Sequence, residues 1–297
     1  MSVAASRFAG VKETDLKLSD GRTLHIYDSG GSETDLVVLW HHGTPNIGTP
    51  PRPLFPAAAR LGIRWVSYDR PGYGGSTPHP GRDIASAAAD VAAIADTLGI
   101  DRFAVLGHSG GGPHALACGA LLPDRVLTVA SVAGLAPFDA EGLDWFTGMS
   151  HSGVASLRAA AEGRTAKEAH EATAEYDPEM FTPADHAALS AEWSWFGEVV
   201  GPAVEAGPGA LIDDDLAYVA PWGFAPARIK APLLLVHGDL DRVVPSSHSR
   251  WLARQCPTAQ LWPRPEDGHI SVLDAGGSAL EWLVASANAV APPRMNP

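Results

Sequence analysis

Gly107-His108-Ser109-Gly110-Gly111 follows a short apolar run and opens a helical pattern. It fits G-x-S-x-G, and that strand-to-helix placement is what the motif requires. A serine held in so sharp a turn needs small neighbours. Gly107 and Gly111 let strand and helix approach closely, and Ser109 is pushed into the open. The plainer alternative is a glycine-rich β-to-α turn with an ordinary serine, which the placement disfavours. Neither G-x-x-x-x-G-K-[ST] nor G-x-G-x-x-G occurs at this turn, so a phosphate cradle is not indicated.

A serine hydroxyl is a weak nucleophile until a base removes its proton. In the chain order serine, acid, histidine, the base comes last. Twelve histidines are present, so position must choose among them. His269 lies in Glu266-Asp267-Gly268-His269, between a last strand expected at Gln260–Trp262 and the final helix. It is also the only histidine after His248. A surface-loop histidine is the competing reading. For the acid, the apolar run Leu233–Val236 leads into His237-Gly238-Asp239-Leu240-Asp241. Asp241 lies further past the strand end, where a loop can reach the histidine. Asp239 is expected to hold the turn through its own backbone. The acid would fix the imidazole tautomer and stabilise the imidazolium without itself becoming protonated. Acyl transfer also needs donors aimed at the developing oxyanion. The N–H of Gly110 is one candidate. Thr44, in His42-Gly43-Thr44-Pro45 after Trp40, supplies the other; Pro45 has no N–H to give.

These loops need a scaffold that brings them to one edge. Residues 11–28 alternate apolar and polar around Ser19-Asp20-Gly21, a hairpin signal. Short apolar runs follow at Leu36–Trp40, Ile63–Tyr68, Phe103–Leu106, Val126–Val132 and Pro232–Val236. Between or after them lie helical patterns at Ile84–Leu98, Pro113–Leu122, Ser247–Gln255 and Val272–Ala287. Such alternation predicts an α/β fold with a mainly parallel central sheet flanked by helices. The alternation stops between about 138 and 225. That stretch holds helical patterns near 152–162, 166–174, 184–200 and 209–219 and four tryptophans. It reads as a helical insertion between two strands, giving a core of 1–137 and 226–297 and an inserted unit of 138–225. The Pro-rich tail Ala291–Pro297 is expected to fray.

Five segments in order, His42-Gly43-Thr44-Pro45, Tyr68-Asp69-Arg70-Pro71-Gly72-Tyr73-Gly74, the serine turn at 107–111, His237-Gly238-Asp239-Leu240-Asp241 and Gly268-His269, resemble the α/β-hydrolase superfamily, in particular its capped, esterase-like branch. The resemblance covers nearly all of the chain outside the insertion. It implies a catalytic triad of Ser109, Asp241 and His269, oxyanion donors at Thr44 and Gly110, and a helical cap at 138–225. Haloalkane dehalogenases and epoxide hydrolases of this fold carry aspartate at the elbow, so serine argues against both. The expected activity is hydrolysis of carboxylic esters of small, largely hydrophobic substrates. Trp145, Phe146, Trp193, Trp195, Phe196, Trp222 and Phe224 fall in the insertion. They would roof an apolar pocket or form the cap's own core; Trp145 and Trp193 are the candidates for lining the site. The same triad also suits a lactonase, a C–C bond hydrolase, a thioesterase, an acyltransferase or a perhydrolase. It suits an aminopeptidase releasing N-terminal proline too, with Glu192, Glu198 and Asp213–Asp215 holding the substrate ammonium. Outside enzymes, a small-molecule receptor on a hydrolase fold keeps the same residues.

Composition sets the outer bounds. The chain has 297 residues, 45% hydrophobic and 19% charged, enough for one large buried core with an insertion. Acidic residues outnumber basic ones 34 to 21, a formal charge of −13, with no basic cluster. That excludes a phosphate-tracking nucleic-acid binder. The two cysteines, Cys118 and Cys256, form no redox or zinc spacing and read as buried thiols in a reducing compartment. No metal or cofactor is expected, and the partner is a small-molecule substrate. Residues 1–10 lack a signal-peptide apolar run, and no stretch reaches membrane-span length, so a cytoplasmic protein is expected.

Overall fold

The structure is a computed structural model describing residues 10–32 and 35–290. Residues 1–9 and the Ala291–Pro297 tail lie outside the described residues. Eight strands form one sheet: β1 (Lys12–Lys17), β2 (Thr23–Asp28), β3 (Leu36–His41), β4 (Ile63–Tyr68), β5 (Phe103–His108), β6 (Val126–Val132), β7 (Leu233–Gly238) and β8 (Ala259–Arg264). Their order across the sheet is β1-β2-β4-β3-β5-β6-β7-β8. The β1–β2 and β2–β4 pairs are antiparallel and all others are parallel. The first hairpin turns at Gly21, whose φ of 89° a side chain would resist.

The apolar runs are continuous because both sheet faces are covered. Alternation within each strand sorts the residues between the faces. Val38 and Trp40 of β3 and Leu234 and Val236 of β7 pack with α1 (Phe55–Leu61) and α10 (Gly276–Val290) on one side. Leu39, Leu233 and Leu235 pack with α2 (Ser86–Thr97), α3 (Gly111–Leu121) and α9 (Ser247–Gln255) on the other. Each such side chain stabilises the fold by about 1.5–3 kcal/mol. Helix α1 lies in a stretch where the sequence suggested no element. Pro45, Pro50, Pro51, Pro53 and Pro56 mask it, but Pro56 sits in the first turn, where a missing N–H is harmless.

Between β6 and β7 the chain is helical: α4 (His151–Glu162), α5 (Arg164–Glu171), α6 (Pro183–Leu189), α7 (Phe196–Val204) and α8 (Gly209–Val219). The helix expected over 184–200 is broken. After α6 the chain leaves helical geometry at Ala191 and forms a tight 3-10 turn over Glu192–Trp195 before α7. Trp193 and Trp195 are both buried on the same core, with ring centroids 6.4 Å apart. On a continuous α-helix, residues two apart do not share a face, so the break lets both rings pack inward. Among the described residues no helix is long and apolar enough to cross a membrane. Cys118 and Cys256 are buried and free.

Candidate active site

The parallel strands deliver their loops to one edge. β5 ends at His108, and Ser109 turns into α3 with φ of 54°. That left-handed conformation is unfavourable for a residue with a Cβ. It is held by the Ser109 N–H donating to the Val132 carbonyl at 2.9 Å and by the Gly112 N–H donating to the Ser109 carbonyl at 2.9 Å. A Cβ on Gly107 would collide with the Gly111 carbonyl, and one on Gly111 with the His41 carbonyl. The glycine spacing is therefore steric, as the motif demands.

His269, on the loop after β8, lies beside this serine. The Ser109 hydroxyl is 2.9 Å from His269 Nε2, and His269 Nδ1 is 2.7 Å from Asp241 Oδ2. Asp241 follows β7; its Oδ1 accepts the N–H groups of Val243 (2.8 Å) and Val244 (2.9 Å). Burial alone would raise its pKa. The adjoining His269 ring and hydrogen bonds from His237 and His269 outweigh burial and hold the carboxyl well below its usual range. Asp239 does not hold the turn through its own backbone, as its sequence position suggested. It accepts a hydrogen bond from Arg250 Nη2 at 2.7 Å on the surface.

Two amides beside Ser109 are oriented by what holds the other end of each peptide. The Gly43 carbonyl accepts from His42 Nδ1 (2.8 Å) and Arg70 Nη2 (3.1 Å). In a trans peptide the following N–H points the opposite way, so the Thr44 N–H faces away from Arg70. The Ser109 carbonyl is held by Gly112, which turns the Gly110 N–H outward by the same geometry. Among the described residues neither amide donates to a protein group. His42 is a neutral imidazole with its proton on Nδ1, because Nε2 accepts the Arg70 N–H at 3.0 Å; burial, then the Arg70 charge, keeps it so.

Arg70 is itself anchored from the insertion. Asp214 on α8 accepts from Arg70 Nη2 at 2.6 Å, Arg82 Nη2 at 2.6 Å, Tyr73 Oη at 2.8 Å and Thr44 Oγ1 at 2.5 Å. Burial opposes its ionisation, but the two guanidinium groups hold its pKa far below the usual carboxylate range. Tyr218, one turn later, donates to the Gly110 carbonyl at 3.1 Å and lies 2.7 Å from Thr44 Oγ1.

Ser109 and His269 open onto a cavity of about 450 Å³. Gly43, Thr44, Pro45 and Asn46 form one wall. The insertion supplies Tyr176, Met180, Phe181, Leu189, Phe196, Gly197 and Val200, and His108, Val243 and Ile270 complete it. No carboxylate, lysine or arginine is among these lining residues. Trp145 and Trp193 do not line the cavity. Trp145 is buried against Phe138 and His248, its indole N–H donating to the Ala136 carbonyl at 2.9 Å. Trp193 donates to Asp274 Oδ1 at 2.9 Å. Each ring fills the core, and each indole N–H is satisfied there. The carboxylates considered for an amine-binding role also lie elsewhere. Glu198 pairs with Arg52, Asp213 with Arg164, Asp215 with Lys167, and Asp214 with the two arginines. Glu192 is exposed and outside the lining.

Sequence reasoning missed Arg70, Tyr218 and Asp185, and offered Asp214 only as one of the carboxylates for a substrate ammonium. Arg70 stood inside a recognised segment, and Thr182-Pro183-Ala184-Asp185 carries a capping signature. Nothing local disclosed their partners.

The α/β hydrolase fold family model matches residues 37–276. An epoxide hydrolase of Caballeronia sordidicola is 29% identical over 136 residues, covering 45% of this chain and 40% of that protein. A non-heme chloroperoxidase of Streptomyces lividans is 33% identical over 121 residues, 40% of this chain and 44% of that protein. The chain thus matches less than half the length of these two relatives. A thermophilic esterase from Thermogutta terrifontis superposes with a TM-score of 0.66 at 19% identity, covering 93% of this chain and 99% of the other. With its sheet order, its elbow and a family match across most of its length, this chain belongs to the α/β-hydrolase fold family.

Proposed function

We propose that the chain is a serine hydrolase cleaving carboxylic esters of small, largely hydrophobic substrates through an acyl-enzyme. The observation that carries this reading is the imidazole poised between Ser109 (2.9 Å) and Asp241 (2.7 Å) at the floor of an apolar cavity. Ser109 Oγ attacks the ester carbonyl as its proton passes to His269 Nε2. The oxyanion is received by the Thr44 and Gly110 N–H groups. His269 then protonates the departing alcohol oxygen. Water, deprotonated by the same nitrogen, opens the acyl-enzyme and releases the acid.

The helical segment 138–225 acts as the cap, its Phe181, Leu189, Phe196 and Val200 taking the apolar part of the substrate. A cavity without a carboxylate has nothing to hold an ammonium group, which argues against the aminopeptidase reading. Epoxide opening by Ser109 would leave an ether on the enzyme, which water cannot release by attack at an acyl carbon. A lactone is an ester and falls within the same chemistry. The free thiols Cys118 and Cys256 fit a reducing compartment, consistent with a cytoplasmic location.

The test is turnover of a short-chain p-nitrophenyl ester by the wild type and by Ser109→Ala. The expected loss in kcat is on the order of 10⁴-fold or more, with the melting temperature retained. Wild-type turnover by the Ser109→Ala chain overturns the reading.

A further inference from the structure

The backbone of His269 is held from both sides. Its carbonyl accepts the Nε2–H of His108 at 3.0 Å. Its N–H is directed to Oδ2 of Asp185 at 3.2 Å, a residue of α6 that lies 84 positions earlier in the insertion. The same carboxylate does more. Asp185 Oδ1 accepts the N–H groups of Ile270 and Ser271, each at 2.8 Å, and the Ser271 hydroxyl at 2.9 Å. Oδ2 also accepts the N–H and hydroxyl of Thr182, each at 2.9 Å. Ser271 Oγ in turn accepts the Gly268 N–H at 2.8 Å. A Cβ on Gly268 would collide with this carboxylate, so only glycine lets the loop come so close.

Ser271 opens the helical run Ser271–Val290, Ile270 is its N-cap and His269 the residue before; the leading N–H groups have no partner within the helix and the dipole favours an anion. Asp185 therefore caps, from another element, the helix that follows the base. The side chain is fully buried, and its hydrogen-bond donors among the described residues are backbone N–H groups and hydroxyls. Burial opposes its ionisation, and the hydrogen bonds from Ser271, Thr182 and Ile270 still hold its pKa below the usual carboxylate value. A carboxylate with this many inward donors has a shape that a neutral amide cannot copy, since one of its two ends would present N–H to N–H.

We propose that Asp185 is a positioning residue for the base: by clamping residues 269–271 it keeps the His269 ring within reach of both Ser109 and Asp241, a role that rests on the triad reading above. The insertion then does two jobs. Its apolar side chains shape the cavity, while α6 is part of the rigid frame of the triad. Opening of the cap at α6 would unclamp the histidine loop, so substrate passage falls to the rim that carries the exposed Tyr176.

The experiment compares wild type, Asp185→Asn and Ser271→Ala for ester turnover, fluorophosphonate labelling of Ser109, thermal melting and the low-field Nδ1 proton signal of the His269–Asp241 pair. For Asp185→Asn we expect kcat and the labelling rate to fall together by about 10- to 100-fold, with KM within about two-fold. The low-field signal should broaden or vanish in protein that is still folded. Ser271→Ala removes one of the six donors and should lose several-fold with little change in melting. It decides the matter if Asp185→Asn does not fold. Folded variants that turn over, label and show the low-field signal as wild type does overturn the proposal, as does a loss that merely follows the unfolded fraction. A wild-type chain that neither labels nor hydrolyses esters sinks the hydrolase reading instead, and the low-field signal still reports on the clamp.

Discussion

Asp241 illustrates how one side chain is specified by its partners. One oxygen faces His269 and the other is saturated by the amides of Val243 and Val244, so the carboxylate cannot rotate away. Held anionic by the imidazole and by His237, it fixes the His269 proton on Nδ1 and leaves Nε2 as the acceptor facing Ser109. An asparagine has nearly the same shape but would donate N–H where His269 must donate. Asp241→Asn is therefore expected to lower kcat on an ester by about 10³- to 10⁴-fold while the protein stays folded, measured as kcat beside a thermal melt. A loss below ten-fold would mean that Asp241 does not set the tautomer.

Among elements, α8 is tied to the sheet by charge rather than by apolar contact alone. Asp214 pairs with both Arg70 and Arg82, which are themselves buried, and Arg70 holds the carbonyls of His42 and Gly43. Removing the carboxylate strands two guanidinium groups away from water. Asp214→Ala is expected to cost about 3–5 kcal/mol of stability. In any folded fraction it should also slow acylation, because the peptide carrying the Thr44 N–H loses its fixed direction. Chemical denaturation and single-turnover acylation measure the two effects. By contrast, breaking the exposed Arg250–Asp239 pair should change stability by less than about 1 kcal/mol.

Across the whole molecule the histidines set the acid limit. Burial pushes His41 and His108 down to about 3 and His248 to about 4, and holds His42 and His114 well below their ordinary value. In the unfolded chain each titrates near 6.5. As pH falls below that value the unfolded state binds protons that the folded state refuses. Stability is therefore complete above about pH 6.5 and is lost as pH falls toward 4, by about 1.4 kcal/mol per pH unit for each histidine. Asp69, Asp90 and Asp215, raised by burial, act in the opposite sense but are fewer. The melting temperature should thus drop steeply between pH 6.5 and 4. A flat profile over that range would show that these rings are not neutral and buried.

Features encoded by local chemistry were legible in the sequence alone. Short continuous apolar runs marked the inner strands, and glycines at 107 and 111 marked a turn into which only a small-residue frame fits. The motif's chain order of serine, acid and histidine, together with the apolar runs that precede each loop, picked out Ser109, Asp241 and His269. What it could not encode was which distant residues meet. Trp145 and Trp193 looked like pocket walls because aromatic composition is the same for a lining ring and a core ring; only packing assigns them to the core. Asp213, Asp214 and Asp215 stand side by side in the chain, yet α8 points them at four different cations: Arg164, then Arg70 with Arg82, then Lys167. Asp185 reads locally as a helix cap, and only the tertiary structure brings its carboxylate against the loop of His269. Periodicity is a property of neighbours in sequence. The pairing of buried charges depends on neighbours in space, and the fold alone supplies those.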